Sequence, residues 1–89
     1  MKILVFEQEN CGWCTRLHPH ITKFSEETNT EIEFVDITDD WDKYVVGYGI
    51  RSTPTVVIED DGEAVRSFSI RSQTGIAGLM REIKDFVNG

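Results

Sequence analysis

The chain has little with which to staple or anchor itself. Its 89 residues include only two cysteines, two prolines and nine basic residues, set against sixteen acids. No apolar run approaches the roughly 18 residues that a membrane span needs, so no membrane partner is expected. The shortage of lysine and arginine excludes a second class. Gripping phosphates takes a basic face, and a chain of net charge −7 with scattered cations offers none. No nucleic-acid partner is expected. The segment "MKILVFEQEN" holds an apolar run of only four, Ile3 to Phe6, with no small-residue cleavage site. That leads to the expectation of a cytoplasmic protein. The length suits one domain over residues 1–89. A chain of this size hides roughly 60–70% of its unfolded surface, enough for one core without staples. A monomer is expected.

Punctuation and periodicity divide the chain. "KILVF" (2–6) is a short unbroken apolar run, as in a strand covered on both faces. Cys14, Leu17, Ile21, Phe24 and Thr28 then follow helical spacing, with Asn10 as the expected N-cap. "EIEFVDI" (31–37) reads as a strand, and "DWDKYVVGYG" (40–49) as a short helix capped by Thr38 or Asp39 and ended by Gly47 and Gly49. "TVVIE" (55–59) is a third strand, "DDG" (60–62) a hairpin turn and "EAVRSFSI" (63–70) the returning strand. The last helix (74–88), capped by Ser72 or Thr74, sets Ile76, Leu79, Met80, Ile83, Phe86 and Val87 on one face. The order β-α-β-α-β-β-α predicts an α/β fold, a four-stranded mixed sheet with helices on both faces. Two strand-helix-strand crossovers predict parallel pairing, with the hairpin as an antiparallel edge. The acids of "TDDWD" (38–42) and "IEDDGE" (58–63) read as a solvated rim.

The two cysteines, Cys11 and Cys14 of "ENCGWCTRLHPH", carry the chemistry of the chain. A zinc site wants four ligands. Cys11, Cys14, His18 and His20 lie close in sequence, but only Cys14 and His18, four apart, share a helix face. An iron–sulfur cluster would need a second copy of the chain. A disulfide closing so short a loop removes little unfolded-state entropy, so a purely structural staple gains little. Thiol exchange fits better. Cys11 follows a strand and starts a helix, where unpaired N–H groups and the dipole favour a thiolate. Cys14, one turn on, faces the core and lies close enough to resolve a mixed disulfide. Gly12 is expected to let the backbone turn tightly between them. C-x-x-C beside a strand-helix-strand pattern is a redox signature.

"CGWC", Pro19 five residues after Cys14, and "YGIRSTPT" (48–55) together closely resemble the thioredoxin family, over nearly the whole chain from Lys2 to Val87. The outline lacks the extra N-terminal strand and helix of full-length thioredoxins and matches the compact form shared with glutaredoxins. The resemblance implies a thioredoxin-like fold and a thiol-disulfide oxidoreductase that reduces protein disulfides, with Cys11 as nucleophile and Cys14 as resolving cysteine. It implies a cis Thr53–Pro54 bond that brings Thr53 against the cysteines, where its backbone groups pair with an extended substrate. Trp13, held at the surface between the cysteines, is expected to touch substrate, with Gly12, Thr53 and Pro54. No bound metal or organic cofactor is expected beyond the redox-active Cys11–Cys14 disulfide. Expected partners are protein disulfides, with ribonucleotide reductase a family-level guess, and thioredoxin reductase or glutathione as electron donor.

The chain departs from the family pattern at three positions. Trp13 stands where the family usually has proline, Asn10 where it often has tryptophan, and Val5 where it usually has a buried aspartate. The usual acceptor for the Cys14 proton is therefore missing, and water or a neighbouring group must take it. The glutathione-dependent glutaredoxin is the alternative enzyme. "SIRSQTG" (69–75) stands where a glutaredoxin has Gly-Gly-x-x-Asp, and Arg71, Ser72 and Gln73 read as an ordinary surface loop. A binding or scaffold module is the alternative from another class. His18 and His20 read as surface or half-buried helix residues, Trp41 as a cover for the helix edge, and Tyr44 and Tyr48 as packing.

Overall fold

The segments form β1 (Lys2–Glu7), α1 (Gly12–Thr28), β2 (Glu31–Asp36), α2 (Trp41–Tyr48), β3 (Thr55–Asp60), β4 (Glu63–Ser69) and α3 (Gly75–Asn88). The computed structural model describes residues 1–89 throughout. The strands make one four-stranded mixed sheet in the order β2-β1-β3-β4. β1 and β3 take the middle because their apolar runs can be buried on both faces; Ile3 to Phe6 and Val56 to Ile58 are all buried. No helix is long and apolar enough to cross a membrane.

One pairing differs from expectation. β1 and β2 are parallel, but β3 runs antiparallel to β1, with Phe6 opposite Thr55. The sheet therefore holds one parallel pair, not two. The reason lies in the connection. Ile37 and Ile50, on either side of α2, are both buried in one cluster with Leu4 and Phe6, which holds the chain at the end of the sheet it has just left. The chain leaves β2 beside Glu7 and enters β3 at that same end.

The helices cover both faces unequally. On one face α1 and α3 bury Leu17, Ile21, Phe24, Leu79, Met80 and Ile83 against Ile3, Val5, Val56, Ile58 and Phe68. On the other, α2 contributes no buried residue, and Leu4, Phe6, Ile37, Ile50 and Val57 form a smaller cluster against which Trp41 and Tyr44 pack. The Tyr44 and Tyr48 rings lie 5.4 and 5.0 Å from that of Phe6. β4 is an edge strand. Its register slips between Ile58 and Glu59, a bulge that leaves Val65 unpaired and half exposed, as edges often do to resist further pairing.

The helix caps also differ from the sequence reading. α1 is capped by Cys11, not Asn10. Asn10 turns the chain at φ 59°, and the Cys11 sulfur accepts the Cys14 N–H at 3.1 Å. α2 is capped by Asp40 with no side-chain hydrogen bond, because Thr38 bonds elsewhere. Thr74 precedes α3, again without a side-chain cap bond.

Candidate redox site

The site lies where β1 ends and α1 begins. Cys11 and Cys14 are joined by a disulfide, with Cα atoms 5.2 Å apart. The two sulfurs have different surroundings. Cys11 is partly exposed, whereas Cys14 is 4% exposed beneath the first turn of the helix. Capping explains part of the difference. The first N–H groups of a helix lack partners within it, and Cys11 supplies one with its own sulfur. Its carbonyl accepts from Thr15 N–H at 3.2 Å. The same N–H groups and the positive end of the helix dipole face that sulfur.

Gly12 does not make the tight turn expected of it. Its φ is not in the left-handed region, and a Cβ there would meet nothing within 4 Å. The turn is made two residues earlier, at Asn10. At Gly12 the side of the disulfide is simply left open.

Thr53 approaches from 42 residues away. Its hydroxyl lies 3.6 Å from the Cys11 sulfur. The Thr53–Pro54 peptide is cis, and Pro54 is buried. Neither the N–H nor the C=O of Thr53 is hydrogen-bonded within the chain. Trp13 is partly buried. Arg16 sits 5.3 Å over its ring, and the far edge of the indole closes on Gly75, where a Cβ would stand 3.8 Å away. Of the residues named beside the cysteines, Thr53 reaches the Cys11 sulfur across the cis bond, while Gly12 and Trp13 follow Cys11 directly in the chain.

Residues that the sequence reading did not place at the site also belong here. Thr38 ties down the loop before Cys11. Its hydroxyl accepts from Glu9 N–H at 2.9 Å and donates to Asp36 at 2.6 Å, while its own N–H donates to the same Asp36 oxygen at 2.9 Å. Those two bonds, the hydroxyl first, hold the Asp36 carboxyl below the usual aspartate range. Glu7, at the end of β1, lies 2.6 Å from His18 Nε2. The His18 ring stacks on Phe34 at 3.9 Å and 14°. One cleft holds Glu7, Glu9, Cys11, Cys14, His18 and Asp36, and no lysine or arginine lines it. The signal in the sequence was the spacing of His18 from Cys14, four residues on one helix face. His20 is exposed and stands apart from the cleft. Arg71, Ser72 and Gln73 form an exposed loop.

The sequence model of the thioredoxin family matches residues 1–84. Thioredoxin of Pyropia yezoensis is 41% identical over 56 residues, which make up 62% of this chain and 52% of that protein. The match therefore spans about half the length of this curated relative. Schistosoma mansoni thioredoxin, solved in its reduced state, superposes with a TM-score of 0.73 at 26% identity, covering 96% of this chain and 77% of that one. A thioredoxin f2 solved in complex with ferredoxin:thioredoxin reductase superposes with a TM-score of 0.77 over 94% of this chain and 74% of that one. Its identity is 21%, and the likeness is one of fold.

Proposed function

The chain belongs to the thioredoxin family, and on that premise we propose that it is a thiol-disulfide oxidoreductase that reduces protein disulfides through Cys11 and Cys14. The observation that carries the reading is the asymmetric pair itself, a disulfide with one reachable sulfur at a helix start and one shielded sulfur behind it. In the reduced protein, the Cys11 thiolate attacks one sulfur of a substrate disulfide and releases the other as a thiolate. Cys14 then attacks Cys11 Sγ. The bond to the substrate breaks, the Cys11–Cys14 bond forms, and two electrons have passed to the substrate. Gly12, Trp13, Thr53 and Pro54 receive the substrate segment, Thr53 by its free backbone groups.

An outside donor must then reduce the Cys11–Cys14 bond. A thioredoxin reductase is the donor favoured here, because the family match is to thioredoxin and a thioredoxin of the same fold has been solved with a reductase. Glutathione is the second donor to test. Substrates are protein disulfides, ribonucleotide reductase among the candidates, and the setting is a reducing one such as the cytoplasm. No further cofactor takes part in this cycle.

The deciding experiment follows reduction of a protein disulfide, with NADPH and thioredoxin reductase in one series and glutathione in the other. Turnover is expected in the first series and much less in the second. Equal rates with wild-type protein and Cys11→Ser would leave only the binding-module reading standing.

A further inference from the structure

The second step of this cycle has a missing part. Cys14 must lose its proton before it attacks, yet it is 4% exposed and poorly reached by water. Val5, where an acid is usual, is 1% exposed and packed among Leu17, Val56 and Leu79. The acid is found two residues further along the same strand. Side chains two apart on a strand share a face and stand about 7 Å apart, so Glu7 lies on the α1 side as Val5 does, displaced toward the disulfide. It meets His18 there. His18 in turn lies one helical turn beyond Cys14, on the same face of α1.

We propose that Glu7 and His18 act together as the acceptor of the Cys14 proton. The inference rests on the dithiol-exchange reading given above. Glu7 holds Nε2 at 2.6 Å and the Phe34 ring lies flat beneath the imidazole, so the ring is fixed in place while its other nitrogen makes no hydrogen bond within the chain. Histidine is the side chain whose ordinary pKa falls nearest neutrality. The groups facing it are Glu7 from β1, Glu9 from the following loop, Asp36 from β2, and Cys11 and Cys14 from the start of α1. Three carboxylates line the cleft around the ring, and no lysine or arginine does.

The step balances as follows. The proton moves from Cys14 Sγ to the imidazole, and the Cys14 thiolate attacks Cys11 Sγ. The substrate sulfur departs as a thiolate, and the imidazolium returns its proton to that thiolate or to water. His18 is the acceptor; Glu7 is a positioning residue that orients the ring and offsets its charge.

The test uses the reduced 89-residue chain and 5,5′-dithiobis(2-nitrobenzoate), whose coloured thiolate is released once when Cys11 attacks and again when Cys14 resolves. His18→Ala and His18→Gln should leave the first release unchanged and slow the second by about a hundredfold near pH 7, the low end of the usual general-base range. Glu7→Gln should slow it less. The deficit should shrink as pH rises toward about 8.5, where an ordinary thiol ionises unaided. Added imidazole should restore the second release in His18→Ala. A second release at wild-type rate in both His18 variants across this range overturns the proposal. So does equal slowing of both releases that imidazole does not restore, since that is the mark of a merely structural pair. Absence of the first release from the wild-type protein would instead remove the dithiol-exchange reading, and this inference with it.

Discussion

At one end of the sheet the chain turns from β3 into β4 through Asp61 and Gly62, at φ 54° and 79°. Asp60 pairs with Glu63 across that turn, so everything that makes it lies within four consecutive residues. At the other end, the disulfide is bounded by the end of β1, the first turn of α1, Thr38 after β2 and Thr53 before β3. These segments are far apart in sequence and meet only because all four strands bring an end to that edge. The hairpin end is therefore a local device, and its failure should be local. The site end is assembled, from groups that the cysteine motif does not contain.

The largest separation between the two ends should appear at Cys11. Cys11→Ser removes the only reachable nucleophile and should bring disulfide turnover to background, while any hairpin variant that folds should retain it. Turnover by Cys11→Ser above background would break the contrast. Next comes the core that both ends share. Leu17, fully buried beneath α1, touches no solvent, and Leu17→Ala should cost about 2–5 kcal/mol. In urea, with redox state held fixed, the midpoint should fall while the slope is unchanged. A changed slope would mean that the two ends no longer unfold together.

A smaller effect is expected at Gly62. A side chain in the left-handed region costs roughly 1–2 kcal/mol, so Gly62→Ala should lower the melting temperature by several degrees with the rate of Cys11 attack untouched. An altered rate would show that the hairpin and the site communicate. The smallest effect concerns acid. Asp36 has a folded pKa depressed below its unfolded value, so its contribution to stability is present above the ordinary aspartate value. It fades as pH falls through the lower folded value. The carboxyl is exposed, and the contribution is small. Thr38→Val removes the hydroxyl, the larger cause of the depression. A carboxyl-carbon NMR titration should then find Asp36 moved up toward the ordinary value. A titration identical to wild type would remove Thr38 from its place as the tie between β2 and the loop before Cys11.

Much of the fold was legible because its causes are short-ranged. The unbroken run at Ile3 to Phe6, the helical stripe from Cys14 to Phe24, the Asp-Gly turn and the apolar face of α3 each depend on residues within a few positions of one another. The direction of β3 was not legible from order alone. It follows from Ile37 and Ile50 being buried together against Leu4 and Phe6, a matter of three-dimensional packing. The caps failed for a related reason. Asn10 is a good cap by type, but a sulfur one residue later sits where the Cys14 N–H points. Thr38, an equally good cap by type, had already been taken by Asp36 and Glu9.

The same division runs through the site. Cys11, Cys14, Trp13 and the "STPT" segment could be named from the sequence, because C-x-x-C at a helix start is local chemistry and the family resemblance rests on contiguous motifs. Glu7 and His18 could not be paired that way. They lie 11 residues apart on different elements, and neither stands out by type from the other acids or from His20. The sequence by itself determined which segments become strands and helices, and which two cysteines lie together at a helix start, since those outcomes depend on periodicity and on near neighbours. Only the tertiary structure decided that β3 reverses against β1, that Thr53 rests 3.6 Å from Cys11, and that an acid and a histidine meet beside the shielded thiol. Those contacts join residues that the chain brings together only after α1 has packed on the sheet.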